Sequence, residues 1–280
     1  MLKINDARVL ALKKKAREVR IEIIKMIYKA QSGHPGGSLS AADIVTVLYF
    51  DILNIDVNRP QWEKRDRFIL SKGHACPVWY VCLAKKGFFP MRELGKLRVI
   101  GGILQGHPDM KKVPGLDMTT GSLGQGLSAG LGMALGAKVQ KLDFKTYVLL
   151  GDGEINEGQI WEAAMSANKF HLDNLVAIID YNNLQLDGYC HEVMPIEPVK
   201  DKWISFGWNV KEINGHNINE ILSVLEKLKN HQDLPTVIIA HTIKGKGISF
   251  MENMAEWHGK APDEDQFKLA IQELEANQEW

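Results

Sequence analysis

The sequence predicts an α/β domain in which a mostly parallel sheet is covered by helices on both faces. Three observations carry that prediction. Short apolar runs of strand length alternate with segments of helical periodicity, the pattern that parallel sheets leave in a chain. Two of the runs end in side chains bearing oxygen ligands. Finally, no repeat, low-complexity tract or linker rich in Gly, Pro or Ser divides residues 1–280, so a single domain is expected.

Val9, Leu12, Ala16, Val19, Ile23, Met26 and Ile27 recur at helical spacing and open the chain with a long amphipathic helix. Ile44, Val45, Leu48 and Tyr49 share one face of a second helix expected over Ala41 to Asp51. Strands are expected at Arg67 to Leu70, Tyr147 to Leu150, Leu175 to Ile179, Trp208 to Ile213 and Thr236 to Ala240. The intervening helices are expected at Leu123 to Val139, Gln159 to Phe170, Ile218 to Leu228 and Asp265 to Leu274. Gly124, Gly126, Gly130, Gly132 and Gly136 fall within one of these helical patterns. Each costs about 0.5–1 kcal/mol relative to alanine inside a helix. Close backbone packing against another helix or a ligand would offset that cost. Lys138 and Lys141 interrupt the pattern and argue against a membrane dimerisation motif.

Bulk properties exclude several partners. Hydrophobic residues make up 45% and charged residues 24%, as in ordinary globular proteins. The 34 basic and 34 acidic side chains cancel, which gives no support to nucleic acid or an anionic membrane. The basic cluster Lys13-Lys14-Lys15-Ala16-Arg17 reads as a solvated helix face. No apolar stretch reaches the roughly 20 residues of a membrane span, and residues 1–6 lack the apolar core of a secretory leader. Cys76, Cys82 and Cys190 form no CxxC pair and read as reduced thiols. A cytoplasmic location is the expectation.

The apolar run Tyr147-Val148-Leu149-Leu150 ends in Gly151-Asp152-Gly153-Glu154-Ile155-Asn156-Glu157-Gly158. A second run, Leu175 to Ile179, ends in Asp180-Tyr181-Asn182-Asn183. In an open parallel sheet, ligands collect outside the carboxyl ends of the strands. If these two strands are neighbours, Asp152 and Asn182 project over one edge. A carboxylate, an amide oxygen and a backbone carbonyl are hard ligands suited to Mg²⁺ or Ca²⁺ rather than zinc. Mg²⁺ usually completes its octahedron with water and phosphate oxygens, so a diphosphate would supply the rest. Gly151 and Gly153 would let the backbone approach that group closely. Neither a GxGxxG fingerprint nor a Walker loop occurs here.

The block from Gly151 to Asn183 resembles the thiamine diphosphate motif, which opens on GDG and closes on NN. Four further segments narrow the resemblance to transketolase: Ser32-Gly33-His34-Pro35-Gly36-Gly37-Ser38, Ser71-Lys72-Gly73-His74-Ala75, Gln105-Gly106-His107-Pro108 and Gly121-Ser122-Leu123-Gly124-Gln125-Gly126. Their order matches the N-terminal, diphosphate-binding domain of that family and extends to Trp257-His258-Gly259. The resemblance implies that Asp152, Asn182 and the carbonyl of Leu184 bind Mg²⁺, with Ca²⁺ or Mn²⁺ as substitutes. It implies that His74, Gly121, Ser122, Leu123, Gly153, Glu154 and Asn182 line thiamine diphosphate. His34, His74, His107 and His258 would surround its reacting carbon and act catalytically. Ser122 stands where many relatives carry proline, so that loop is expected to be less rigid. Glu157 and Glu162 match acidic positions that face across the interface between subunits.

The histidines also suit the chemistry. Breaking a carbon–carbon bond beside a hydroxyl requires that hydroxyl to lose a proton and the acceptor oxygen to gain one. Imidazole, with an ordinary pKa near 6.5, serves both directions around neutral pH. His171, His191, His216, His231 and His241 read as structural or surface residues. The resemblance places the pyrimidine-binding and C-terminal domains of transketolase outside this sequence. The expectation is therefore a split enzyme in an α2β2 assembly. This chain would be its N-terminal subunit, beside a partner chain carrying the pyrimidine-binding domain. It would transfer a two-carbon ketol unit between sugar phosphates, with pentose phosphate metabolism as the default setting. Competing readings are the α-type chain of a 2-oxo-acid dehydrogenase, a deoxyxylulose phosphate synthase-like enzyme, and a non-catalytic cofactor-binding module.

Overall fold

Five parallel strands form one sheet in the computed structural model, which describes residues 6–230 and 233–276. The leader expectation at residues 1–5 and the reading of His231 lie outside the described residues. Helix α1 (Asp6–Ala30) buries Val9, Leu12, Ala16, Val19, Ile23 and Ile27 along one stripe, as the 3.6-residue repeat requires. The same stripe buries Arg20, a charge that the apolar pattern does not announce.

Two short helices follow, α2 (Pro35–Ser40) and α3 (Ala42–Val47). The single helix expected over Ala41 to Asp51 is interrupted. A π-helical turn, Leu48–Ile52, replaces its end, and the Leu53 amide donates to the Leu48 carbonyl at 2.9 Å, one residue beyond the α spacing.

Strand β1 (Arg67–Leu70) leads to α4 (Cys76–Lys86), a helix with no periodic stripe in the sequence because its buried residues run all round it. Then come α5 (Gln125–Gln140), β2 (Thr146–Gly151), α6 (Gly158–Lys169) and β3 (Leu175–Tyr181). A small hairpin of β4 (Leu184–Gln185) and β5 (Gly188–Tyr189) precedes α7 (Cys190–Val193) and α8 (Val199–Ser205). Strand β6 (Asn209–Asn214), α9 (Ile218–Lys227), β7 (Thr236–His241) and α10 (Glu264–Ala276) complete the described chain.

The strand order is β1-β2-β3-β7-β6. Alternation along the strands divides the core in two. Phe68, Leu70, Tyr147, Leu149, Val176 and Ile178 pack in one apolar cluster with residues of α1, α3, α4, α9 and α10. Ile69, Val148, Leu150, Ala177 and Ile179 pack in a second with α5, α6 and α8. Each fully buried leucine or isoleucine contributes roughly 1.5–3 kcal/mol. The result is the expected sheet covered on both faces.

The glycines of α5 have a different explanation from the one expected. A Cβ at Gly126 would lie 2.3 Å from Ser71 Oγ, and one at Gly130 would lie 2.5 Å from Val148 Cγ2. These two let the helix settle on the sheet itself, rather than on another helix or a ligand. Among the described residues, none outside the surrounding helix backbone comes within 4 Å of a Cβ at Gly132. Gly124 is outside the helix: it caps the N-terminus with φ +82°.

Candidate active site

Strand order brings four carboxyl ends side by side, each carrying a polar residue. Ser71 and Lys72 follow β1, Asp152 follows β2, Asn182 follows β3, and Thr242 and Lys244 follow β7. Lys72, Asp152, Asn182 and Lys244 line one cavity of about 420 Å³, together with His34, His74, Leu184 and His258.

The expectation that the two motif-bearing strands are neighbours is met directly. Strand β2 pairs with β3, with Gly151 opposite Asp180. Asp152 accepts hydrogen bonds from the Gly153 amide at 2.8 Å and from the Asn183 amide. Asn183 adopts a left-handed conformation with φ +64°, which asparagine tolerates better than most residues. Burial and the negative charge of Asp180 push the Asp152 carboxyl up to about 6, against the pull of the two amides and Lys244. A cation beside Asp152 would favour the charged form.

Glu154 is buried and lines the same cavity. Its carboxylate accepts from Ser71 Oγ, from the Gly124 amide at 2.9 Å and from the Gly151 amide at 3.0 Å. It therefore ties the GDG turn to the loop before α5. Glycine between Lys72 and His74 has a steric cause: a Cβ on Gly73 would lie 2.7 Å from the Gly121 nitrogen.

Two lysines and one aspartate join the site without a local sequence signal for that role. Asp180 is fully buried and receives Lys72 Nζ, Ser40 Oγ and Thr242 Oγ1. Burial raises its carboxyl, but Lys72 and the hydroxyls outweigh burial and hold it below the ordinary range. Lys72 Nζ also donates to the Gly37 carbonyl at 2.9 Å. Lys244 Nζ donates to the Leu184 carbonyl at 3.3 Å and lies 3.1 Å from His258 Nδ1. Burial brings the Lys244 amine down to about 8. The strand-end rule points to Lys244 once β7 is known to lie beside β3, and the sequence does not disclose that neighbourhood.

Three of the four predicted histidines come together. The ring centroids of His34 and His74 are 5.1 Å apart, those of His34 and His258 5.4 Å, and those of His74 and His258 5.0 Å. Burial lowers all three, His34 to about 4 and His258 to about 3, with nearby positive charge adding to the effect. They stand as neutral imidazoles at pH 7, ready to accept a proton at one nitrogen and donate at the other. His107 is exposed and is not among the cavity walls. It packs on Gly121, where a Cβ would lie 3.0 Å from its ring.

Gly121, Leu123, Gly153 and Glu157 reach the cavity wall, whereas Ser122 and Glu162 are exposed away from it. The donor set fits a divalent cation with a diphosphate. Among the described residues no group of three or more His, Cys, Asp or Glu side chains could hold a metal. Asp152, the Asn182 amide oxygen and the Leu184 carbonyl thus provide a partial oxygen set that an anionic ligand would complete. His34 lines the cavity, and its buried Nδ1 has no hydrogen-bond partner among the described residues, as a site built for a polar ligand would leave it.

The family described as "Transketolase, thiamine diphosphate binding domain" matches residues 12–279. The chain is 45% identical over 267 residues to one of the subunits of the apulose-4-phosphate transketolase of Phocaeicola vulgatus, covering 95% of each chain. It is 47% identical over 264 residues to the 6-deoxy-6-sulfo-D-fructose transketolase subunit SqwG of Clostridium sp. (strain MSTE9), covering 94% of this chain and 96% of that one. In three dimensions it is similar to the transketolase of Campylobacter jejuni, with a TM-score of 0.89 and 33% identity. That likeness covers 96% of this chain but 43% of the solved one, so the chain spans less than half of that relative. Among the described residues no helix is long and apolar enough to cross a membrane.

Proposed function

We propose, from the fact that this chain belongs to the transketolase family as its thiamine diphosphate binding domain, that it is one half of a two-chain transketolase moving a two-carbon ketol unit from a ketose phosphate to an aldose phosphate. The observation that carries this reading is the meeting of Asp152 and Asn182, on neighbouring strand ends, with three packed neutral imidazoles in one cavity.

Asp152, Asn182 and the Leu184 carbonyl would hold Mg²⁺, and Lys244 would add positive charge toward the diphosphate. When bound, thiamine diphosphate supplies the electron sink that makes cleavage of a carbon–carbon bond beside a carbonyl feasible. His34 and His74 would accept and return the protons of the sugar hydroxyls, and His258 would donate a hydrogen bond to them. Because Lys244 donates to His258 Nδ1, the neutral imidazole carries its proton on Nε2. Exposed His107, packed on Gly121, would act at the mouth.

Two relatives of matching length are named as subunits, which supports a partner chain that supplies the pyrimidine-binding half. Glu157, beside the cavity, and Glu162, on α6, would face that chain, with two copies of each in a cytoplasmic α2β2 assembly. Those relatives are named for apulose 4-phosphate and for 6-deoxy-6-sulfofructose. The donor is therefore best sought among unusual ketoses as well as those of pentose phosphate metabolism. The test is to co-express the chain with a pyrimidine-half partner and assay ketol transfer from several ketoses with thiamine diphosphate and Mg²⁺. Transfer at ordinary rates by the isolated chain would refute the two-chain reading.

A further inference from the structure

Lys244 lies on a loop whose neighbours are tied down on every side. Thr242 Oγ1 donates to buried Asp180, and the Gly245 amide donates to the Gly36 carbonyl at 3.0 Å. The Ile243 amide donates to His216 Nε2 at 2.8 Å. Since Nε2 accepts there, the His216 proton resides on Nδ1, which lies 2.7 Å from Asp43 Oδ2. Asp43 is held in turn by Arg20, through Nη1 at 2.9 Å and Nη2 at 2.6 Å. Arg20 Nε then donates to the Lys246 carbonyl at 3.1 Å and so returns to the same loop. Gly215 makes the approach possible: a Cβ there would lie 2.4 Å from Thr242 Cγ2.

We infer that His216 is a positioning residue for the cofactor site. It holds the loop after β7 through the Ile243 amide, so that Lys244 is presented to the cavity beside the Leu184 carbonyl and His258. The inference rests on the functional reading above. Asp43 and Arg20 fix the His216 tautomer, and without that the ring would have no lone pair to offer Ile243. His216 touches neither the cavity nor any group that would react there.

Two near-isosteric substitutions separate positioning from a merely structural role. In His216→Gln, the side-chain oxygen reaches the position of Nε2 and can still accept from Ile243. In His216→Asn, the amide reaches the position of Nδ1, keeps the contact with Asp43 and leaves the Ile243 amide unmet. Amide hydrogen exchange is followed across residues 241–247 in the full chain. Affinity for thiamine diphosphate with Mg²⁺ is measured by calorimetry on the two-chain enzyme. His216→Asn is expected to speed exchange in that segment about tenfold and to weaken cofactor binding by a similar factor, the scale of one lost hydrogen bond. His216→Gln should stay within about twofold of wild type on both readouts. Equal behaviour of the two variants overturns the inference, as does faster exchange with unchanged cofactor affinity. A wild-type enzyme that binds no thiamine diphosphate would overturn the functional reading instead, and is told apart because it fails before any substitution is made.

Discussion

The carboxylate of Asp152 accepts a hydrogen bond from the backbone amide of Asn183, joining the end of β2 to the end of β3. That bond sets the spacing between the two side chains proposed to hold a cation. Its donor lies in a residue with a left-handed backbone, φ +64°. The GDG and NN turns are thus one object, built from two loops.

Asp152→Ala should abolish the Mg²⁺ dependence of thiamine diphosphate binding and weaken it about 10- to 100-fold, the range expected when one charge-assisted contact is removed. Calorimetry on the two-chain enzyme, with and without Mg²⁺, checks this. Affinity and Mg²⁺ dependence equal to wild type would remove Asp152 from the metal site.

Glu154→Gln probes the bond between the GDG turn and the loop before α5. The carboxylate receives two amides and a hydroxyl, and an amide side chain would turn an NH2 toward one of those donors. Stability should drop by about 1–3 kcal/mol, the cost of a buried polar group left unmet. Urea denaturation measures it. An unchanged midpoint would mean that the loop finds another acceptor.

The α5 glycines predict opposite outcomes for one chemical change. Gly130→Ala drives a methyl into Val148 and should cost about 1–3 kcal/mol through overpacking. Gly132→Ala meets no neighbouring atom among the described residues and should stabilise the chain by about 0.5–1 kcal/mol through helix propensity. Thermal melts of the isolated chain distinguish the two. Destabilisation by Gly132→Ala would show that the helix face is not open as described.

Short apolar runs sufficed for β1, β2, β3 and β7 because these strands are buried on both faces, and the strand-end rule then singled out Asp152 and Asn182. The hidden part depends on contacts remote in the chain. Asp180 receives Ser40, Lys72 and Thr242 from three separate segments, and no local pattern distinguishes it from a solvent-facing strand residue. His216 reads as structural for the same reason: its partners, Asp43 and Ile243, are remote in sequence. Helix α4 stays hidden because a helix buried all round has no amphipathic stripe to detect.

The Arg20–Asp43 pair gives the protein a specific acid sensitivity. Burial alone would raise the Asp43 carboxyl, but Arg20 and His216 outweigh it and hold the carboxyl well below the ordinary carboxylate range. A depressed folded-state value stabilises the fold fully above the unfolded carboxylate value of about 3.9, and that contribution is lost as pH falls below it toward the folded value. Asp43→Asn removes the carboxylate that the fully buried Arg20 holds through two hydrogen bonds, so at pH 7 it should cost about 3–5 kcal/mol. The variant has no proton to take up at this position. The gap between wild type and variant should therefore narrow below about pH 3.9, by at most about 1.4 kcal/mol per pH unit. Urea melts at pH 7, 5, 4 and 3 test the sign: a gap that widens as pH falls would mean that Asp43 is not held as the anion by Arg20.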